Sequence, residues 1–380
     1  MPHDLRIPGH GHSARMTTGT LTTDDLQRLV DEGIVSSAAG IQPAQVQPAS
    51  IDLSLSAEAY RMPGSMLALP GETVRSLIDA LALERLSLDE RCALARGQVY
   101  LVRLREALAL PPNLEAYTNS KSSTGRLDLA TRVLTDGTPR YDRISAGYHG
   151  EVWLELIPRS FDICARAGDS LNQAIFFRQR QVLDHAELLA YYRRDALLFA
   201  GGRPVPERDC LIDGRLVMTA DLQAPIVGYV ARRSHRPVDL GALASHRPPD
   251  YFDPIMKPPS GYLFLEKGRF YILATRERVA VPAELACEMV PYDPAAGEFR
   301  AHYAGFFDPG WGIVNGRNVG CRAVLEVRPH EDDLVLRHGQ PICAMAYERL
   351  TAPVSCLYGQ SGNNYADQDG PRLSKHFADQ

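Results

Sequence analysis

The sequence lacks the long apolar runs and the excess of positive charge that mark two large classes of proteins. No run of 18 apolar residues occurs, so neither a membrane span nor a membrane partner is expected. The formal net charge is −5, so no basic field for nucleic acid exists, and an anionic ligand would have to be met by local cations. Residues 1–20 contain His, Gly and Ser but no apolar core, so they are not expected to be a signal peptide and are predicted to be disordered.

Cysteine usage excludes further architectures. The seven cysteines, at positions 92, 164, 210, 287, 321, 343 and 356, are odd in number and contain no C-x-x-C pair. This pattern argues against a disulfide framework and against a thiolate zinc site. A reducing cytoplasm is therefore the expected location of the protein.

The chain contains an internal repeat at a constant offset of 171 residues. Four blocks of the first copy recur in the second: Gly97–Leu101 at Gly268–Ile272, Leu110–Leu114 at Val281–Leu285, Val152–Glu155 at Ala323–Glu326, and Arg166–Gly168 at Arg337–Gly339. Chance rarely holds one register over four blocks, and the period is far longer than the roughly 20–50 residues of a repeat array. The pattern indicates a duplicated domain.

Strand patterns dominate within each repeat. Short runs that alternate or are rich in β-branched and aromatic residues occur at Val99–Val102, Glu151–Ile157 and Ile175–Phe177. Helical patterns are confined to short pieces at Thr23–Glu32, Thr73–Ala82 and His185–Ala196. The sequence therefore predicts a mainly β chain with two sandwich or barrel domains and a few short helices.

Length and composition predict where these domains lie. A chain of 380 residues is expected to form two domains. The segment Gly201–Pro206 is rich in Gly and Pro, which is typical of a linker. We predict a first repeat over residues 21–195, a linker over residues 196–215 and a second repeat over residues 216–380.

One short loop of the first copy has the composition of an anion-binding site. Asn119–Arg126 contains four Ser or Thr hydroxyls, one Gly and the two cations Lys121 and Arg126. Hydroxyls and Gly-adjacent N–H groups can bind phosphate oxygens, and the cations can neutralise them. Taken alone, the loop is also typical of a solvated turn.

The two copies have lost different features. The loop Lys121–Arg126 corresponds to Tyr292–Gly297 in the second copy, where every Ser, Thr, Lys and Arg of the loop is gone. The aromatic hairpin Ala304–Trp311 corresponds to Val133–Arg140 in the first copy, where the aromatic residues are gone. We infer one site at an interface, with phosphate-binding groups from the first copy and a base pocket from the second.

Together these motifs resemble the dCTP deaminase branch of the trimeric dUTPase-like fold, in a tandem-fused form. The resemblance rests on the Lys-Ser-Ser-x-Gly-Arg loop, the Asp-Pro-Gly-Trp hairpin, the Leu-Glu strand, Arg-x-Gly and the Tyr…Tyr-x-x-Gln-x-Gly tail. It covers most of residues 20–380 and is loose between Leu211 and Pro259. It implies two tandem dUTPase-like domains, each a β-clip or distorted β-barrel, and a hydrolase that acts on the C–N bond of a cyclic amidine.

The resemblance also implies roles for individual residues. The phosphate loop would be Lys121, Ser122, Ser123, Gly125 and Arg126, with Ser122 and Arg126 also approaching the reacting base. The nucleoside pocket would be shaped by Ala304 and Asp308, with the Asp meeting the sugar. The catalytic strand would be Val324, Leu325 and Glu326, and Tyr358 and Gln368 would close over the triphosphate.

Three departures from the family pattern leave alternatives open. A family Lys in the closing tail is replaced by Asn364, and whether Lys375 takes its place is open. Gly312–Asn318 is inserted between the hairpin and the catalytic strand. Glu155 is an equally good strand Glu, so either it or Glu326 could be the catalytic base.

The chemistry needs no protein-bound metal. A partly buried Glu can take a proton from the attacking water and return it, while Arg and Ser hold the reacting edge of the base. Mg²⁺ is expected only through the substrate triphosphate. Zinc deaminases instead use His-x-Glu with a later Pro-Cys-x-x-Cys. His185-Ala186-Glu187 fits the first half, but no second half follows, so no zinc is expected.

Several functional hypotheses stay open from the sequence. A dUTP pyrophosphatase would need an Asp-held water at the α-phosphate, and Asp308 could serve; a bifunctional enzyme would do both steps. A third hypothesis is a non-catalytic nucleotide-binding protein. A homo-oligomer is expected, and dTTP feedback is known in the family. The sequence leaves open whether the site forms within one chain or between chains.

Overall fold

The computed structural model describes residues 17–293, 305–360, 365 and 368–378, and it confirms a mainly β chain with a few short helices. The helices are α1 (Thr23–Asp31), α2 (Val74–Leu81), α3 (Ser122–Gly125), α4 (His185–Arg194) and α5 (Glu207–Cys210). The three helices expected from the sequence pattern are thus confirmed as α1, α2 and α4. No helix among the described residues is long and apolar enough to cross a membrane.

The strands of the first repeat form one large sheet and part of a second. They are β1 (Gly19–Thr20), β2 (Val35–Ser37), β3 (Ile51–Met62), β4 (Glu84–Ser87), β5 (Cys92–Leu94), β6 (Val99–Ala109), β7 (Glu115–Ser120), β8 (Leu129–Leu134), β9 (Arg143–Ile144), β10 (His149–Pro158), β11 (Ile163–Ala165) and β12 (Ser170–Arg178). The large sheet runs in the order β8-β10-β6-β3-β12-β7-β9.

The strands of the second repeat form two larger sheets and two ribbons. They are β13 (Leu198–Ala200), β14 (Arg203–Pro204), β15 (Leu211–Ile212), β16 (Arg215–Thr219), β17 (Ile226–Ala231), β18 (Val238–Asp239), β19 (Phe252–Met256), β20 (Tyr262–Leu265), β21 (Tyr271–Val279), β22 (Leu285–Pro291), β23 (Phe306–Phe307), β24 (Ile313–Val314), β25 (Arg317–Asn318), β26 (Cys321–Val327), β27 (Leu334–Arg337) and β28 (Pro341–Arg349). The larger sheets run β14-β13-β21-β17-β19 and β15-β16-β28-β22-β23. The inserted segment Gly312–Asn318 contains the β24–β25 hairpin.

The duplication is visible in the strand register. Glu155 of β10 lies opposite Leu101 of β6, and Glu326 of β26 lies opposite Ile272 of β21. Both members of the second pair follow the first by 171 positions. The sequence repeat therefore reflects two copies of one strand arrangement.

The stretch predicted as a linker carries short elements in the structure. β13, β14, α5 and β15 fall within residues 196–215. Leu197, Leu198 and Cys210 are buried in the core of the second repeat. The domain limits given above stay a prediction. Of the segment 1–20, residues 17–20 are described, and Gly19–Thr20 form β1.

The two repeats share a core and a charged interface, which places their elements close together. Tyr229, Phe252 and Val324 of the second repeat are buried within the main core of the first. At another contact, the buried Glu348 carboxylate accepts hydrogen bonds from the hydroxyls of Thr20 at 2.8 Å and Tyr117 at 3.2 Å. A group from one repeat can therefore face a group from the other without solvent between them.

Candidate active site

A cavity of about 270 Å³ opens between the two repeats of a single chain. The first repeat contributes Ala44, Gln47, Asp52, Lys121, Ser122, Ser123 and Gln173, and the second contributes Phe306, Phe307, Asp308, Trp311, Tyr358 and Tyr365. The phosphate-type loop of one copy and the aromatic hairpin of the other therefore line one space. The structure thus brings these predicted residues together within one chain.

The loop of the first repeat follows β7 and forms the one-turn helix α3. Lys121 precedes α3 in extended conformation, and the Gly125 N–H donates to the Lys121 carbonyl at 3.1 Å, which closes the turn. Ser122 is exposed at the cavity, whereas Ser123 is buried. The Lys121 ammonium pairs with the Asp52 carboxylate of β3. The loop therefore presents a hydroxyl and a cation to the cavity.

The hairpin of the second repeat turns sharply after β23. Gly310 has φ of +98°, and a Cβ there would lie 2.6 Å from Cβ of Leu357 and from the backbone nitrogen of Tyr358, so only Gly fits. This turn sets the Trp311 ring against Phe307 and Tyr358, at centroid distances of 5.0 and 5.1 Å. The result is an aromatic wall on one side of the cavity. Ala304 lies outside the described residues.

Asp308 is buried at the junction of the repeats. Its Oδ1 accepts a hydrogen bond from the Ala49 N–H at 3.2 Å, which ties the hairpin to the first repeat. Burial raises the pKa of Asp308 to about 7, and the negative charge of Asp52 adds to the rise. Asp308 can therefore accept or donate a hydrogen bond near neutral pH.

Strand β26 has one face toward each repeat because successive strand residues point to opposite sides. Val324 packs in the core of the first repeat, whereas Leu325 packs in the core of the second. Glu326 is two residues after Val324 and therefore points toward the first repeat. Burial raises the pKa of Glu326 to about 8, and the charge of Arg126 works against that rise.

Arg126 is buried and held by the C-terminal segment, residues 365 and 368–378. Its guanidinium donates to the Gln368 side-chain oxygen and to the Arg372 carbonyl, each at 2.9 Å. The guanidinium carbon lies 3.8 Å from the centre of the Tyr365 ring. The Nε of Arg126 is buried with no hydrogen-bond partner among the described residues. One donor of this side chain thus stays available to a ligand.

The same segment fastens the loop. The Tyr365 hydroxyl donates to Ser123 Oγ at 3.0 Å, and the Ser374 hydroxyl donates to the Ser123 carbonyl at 2.7 Å. Burial and the charge of Lys121 lower the pKa of Lys375. Asn364, the other residue considered for this position, lies outside the described residues.

Glu155 faces away from this cavity. The Trp153 side chain, on the same face of β10, packs with Val74 and Ile78 of α2. Glu155 is buried there, 3.6 Å from Arg132 and 3.4 Å from the Tyr141 hydroxyl. Burial raises its pKa, with partial compensation by Arg132. The face of β10 that carries Glu155 is therefore covered by the first repeat itself. The equivalent face of β26, which carries Glu326, is directed toward Arg126.

Comparison with known proteins identifies the family of the chain. Residues 17–181 match the N-terminal domain, and residues 193–377 the C-terminal domain, of 2'-deoxycytidine 5'-triphosphate deaminase (DCD). The chain belongs to the dCTP deaminase family. Its tandem organisation spans both domains of that family.

Individual dCTP deaminases agree with this assignment. The dCTP deaminase of Histophilus somni is 30% identical over 144 residues, which are 36% of this chain and 71% of that protein. The "dCTP deaminase, dUMP-forming" of Kocuria rhizophila is 30% identical over 162 residues, 42% of this chain and 80% of that protein. The crystal structure of the Agrobacterium tumefaciens dCTP deaminase has 38% identity and a TM-score of 0.83, covering 90% of this chain and 98% of that one. The expected dUTPase-like architecture is thereby confirmed.

Sequence motifs did not single out two residues of this dCTP deaminase cavity. Asp52 and Gln173 line it from the neighbouring strands β3 and β12. The one available signal was Asp52 itself, a carboxylate in the alternating stretch Ile51–Leu55, because charged groups are seldom buried in a strand without a role. Gln173 gave no signal, since its position depends on strand pairing across 121 residues.

The side chains in this family member do not gather as a metal centre in the described part of the chain. Over residues 17–293, 305–360, 365 and 368–378, no three His, Cys, Asp or Glu side chains form a candidate ligand set. His185 begins α4, and its Nδ1 accepts a hydrogen bond from the Gly214 N–H at 3.2 Å. A zinc-free reaction stays a prediction.

Proposed function

We propose that the chain deaminates dCTP hydrolytically, giving dUTP and ammonia for deoxyuridylate and thymidylate biosynthesis. One observation carries the proposal: the loop of the first repeat, with Lys121 and Ser122, and the hairpin of the second, with Asp308 and Trp311, line one cavity. Neither repeat alone contains both groups. Family membership supports the substrate and the reaction.

The proposed reaction uses Glu326 as the proton carrier. Water adds to C4 of the cytosine, and Glu326 takes one of its protons and passes it to the ring. Glu326 then passes the proton of the new C4 hydroxyl to the amino group, so that the C4–N bond breaks, ammonia leaves and a carbonyl forms at C4. Arg126 and Ser122 orient the water and the base edge, because fixed donors stabilise the charge that develops there.

The triphosphate is proposed to lie along the loop. Ser122 and Lys121 line the cavity, and Lys375, whose pKa is lowered by burial and by the charge of Lys121, is proposed as a second cation for the triphosphate. Asp52 now neutralises Lys121, so an incoming phosphate would compete with that carboxylate. Mg²⁺ would arrive with the triphosphate, since the chain offers mainly cations and hydroxyls there.

Asp308 and Tyr358 are proposed to hold the deoxyribose. Asp308 is buried at the cavity, and the Tyr358 ring packs at a tilt against the Trp311 ring beside it. Trp311 Nε1 is buried with no partner among the described residues, so it can donate to the nucleoside. A sugar hydroxyl between these groups would satisfy Asp308 in either protonation state.

The decisive experiment is product analysis. Purified protein is incubated with dCTP and Mg²⁺, and dCTP, dUTP and dUMP are separated while ammonia is measured. We expect dUTP and ammonia in equal amounts, from protein without stoichiometric zinc by elemental analysis. No turnover would favour a non-catalytic nucleotide-binding protein. Stoichiometric zinc, with activity lost on chelation, would refute the metal-free mechanism.

A second candidate is a bifunctional enzyme that continues to dUMP. Two carboxylates, Asp52 and Asp308, line the same cavity, and the charge of one raises the pKa of the other. Either could hold a water near the α-phosphate. The Kocuria rhizophila relative carries a dUMP-forming name. Appearance of dUMP and pyrophosphate in the same assay would favour the bifunctional enzyme.

Lys375 is predicted to contribute to triphosphate binding. Replacing it by Gln is expected to raise KM for dCTP on the order of tenfold, since a charge-assisted hydrogen bond contributes about 1.5–3 kcal/mol. The kcat should change little, because the substitution leaves the proposed proton carrier Glu326 in place. Lys267→Gln, at an exposed lysine, is the control. An unchanged KM would show that Lys375 does not replace the missing tail lysine.

Feedback by dTTP is proposed at the same cavity, since both nucleotides share the triphosphate and deoxyribose. The cytoplasm is the proposed location. A homo-oligomer is also proposed, although the residues that line the cavity all come from one chain.

A further inference from the structure

A ribbon of the second repeat exposes an apolar face. Strands β20 and β27 pair antiparallel, with Phe264 opposite Val335 and Tyr262 opposite Arg337. Phe264 is 66% exposed, and Val335 and Tyr262 are each 47% exposed. Large apolar side chains clustered at a strand edge are a recognised signal of association.

The same ribbon in the first repeat is covered. Its strands are β5 and β11, and Ala93 and Cys164 stand 171 positions before Phe264 and Val335. There β18 adds in parallel to the edge of β11, so that Val238 lies opposite Ile163. Within the part of the chain that the structure describes, β27 pairs with β20 alone. The edge of β11 is thus paired with β18 in the first repeat, whereas the equivalent edge of β27 is open in the second.

Charge at the open edge favours a second copy of the same strand. The exposed Asp332 and Asp333 precede β27, and the exposed Arg337 ends it. When two such strands pair antiparallel, the acidic start of each meets the basic end of the other. The strand is therefore self-complementary in charge, and Val335 lies near its centre.

We propose that β27 pairs antiparallel with β27 of a second copy about a twofold axis, giving a continuous β20-β27-β27-β20 sheet. Pairing satisfies the open backbone groups of both edges. The two Val335 side chains become neighbours across the axis, each beside Phe264 of its own chain, which removes apolar surface from water. A twofold contact of this kind uses the same surface twice and stops at two chains.

The test is the mass of the full chain in solution, by sedimentation and by light scattering after gel filtration. Wild type is expected at twice the chain mass of 41.9 kDa. Val335→Lys is expected at the single-chain mass, because the buried lysine of one chain would face the same lysine of the other chain across the twofold axis. The matched control is Val314→Lys, since Val314 is 53% exposed in the separate β24–β25 hairpin, and it should remain paired.

A charge swap makes the test independent of that substitution. Arg337→Asp alone is expected to weaken pairing at least tenfold, and adding Asp333→Arg should restore it, because the register that places Val335 opposite itself places position 337 opposite position 333. Folding is checked by circular dichroism and thermal unfolding.

Three outcomes would overturn the proposal: a single-chain wild type, a three-chain species, or a pair that survives Val335→Lys. A four-chain species that halves in Val335→Lys would support it. Turnover per chain should be unchanged in every variant, because the catalytic cavity lies within one chain. The pairing proposal can thus fail while the proposed deamination is observed, and deamination can be absent while pairing is observed.

Discussion

Glu326→Gln is expected to lower the rate of ammonia release from dCTP by about 10²–10⁴-fold, the range for loss of a general base. Gln has nearly the shape of Glu but cannot carry the proton from water to the ring. The triphosphate contacts lie at the loop, so the Kd for dCTP should change little. Single-turnover rates and equilibrium binding of dCTP measure the two effects separately.

The matched control is Glu155→Gln. Glu155 occupies the same position of the first repeat, is also buried and also has a raised pKa, but it faces Arg132 and α2. Its replacement should leave turnover within a small factor of wild type. If Glu155→Gln is the inactive variant instead, the base pocket belongs to the first repeat and the assignment is reversed.

The pH dependence follows from the raised pKa of Glu326. Because a base must be deprotonated, kcat/KM is expected to rise with pH and level off above about 8. Stability should run the other way. The folded state holds a proton that the unfolded state releases, so the contribution of Glu326 is complete below its ordinary pKa and is lost as pH rises through about 8. The Tm of Glu326→Gln should therefore be raised relative to the Tm of wild type at pH 9, and the two Tm values should match near pH 5.

The second large effect is the failure of two inactive chains to rescue each other. Arg126→Ala is expected to lose about 10²–10³-fold in rate, as removal of a transition-state donor does. Asp308→Ala should also be impaired, because it opens the nucleoside pocket. Each cavity takes its loop and its hairpin from one chain, so every site in a mixture keeps one lesion.

Mixing is done by unfolding and refolding the two variants together, so that any assembly forms at random. Wild type treated in the same way shows how much activity refolding recovers. Activity of the mixture should equal the average of the separate variants. Recovery above that average would mean that the loop and the hairpin meet across chains.

Much of the fold could be predicted because the duplication preserves register. One offset of 171 residues made Leu101 equivalent to Ile272 and Glu155 equivalent to Glu326 before any geometry was known, and the structure pairs the strands of both copies in that same register. The helices predicted at Thr23–Glu32, Thr73–Ala82 and His185–Ala196 agree with α1, α2 and α4 to within two residues at each end. Helix positions and the equivalence of the two copies can therefore both be predicted from a single sequence.

The choice between the two strand carboxylates could not be predicted. Both sit in the same strand pattern, and the difference lies in what covers them. Glu155 is covered by α2 and its neighbours, whereas Glu326 faces the other repeat. Such coverage depends on contacts between residues far apart in sequence, which no local pattern records. The position of Asp52 in the cavity also depends on contacts between residues far apart in sequence, so local patterns did not predict it.

The hold of the C-terminal segment on the loop has a consequence for synthesis. Arg126 and Gln368, which bond directly, are separated by 242 positions. A chain emerging from the ribosome at roughly 5–20 residues per second therefore carries its loop for many seconds before its fastening residues exist. Translation that stops short of Tyr365 would release a protein with both cores nearly complete and with Arg126 unheld. The proposed role of Arg126 in catalysis thus requires that translation continue past Arg372.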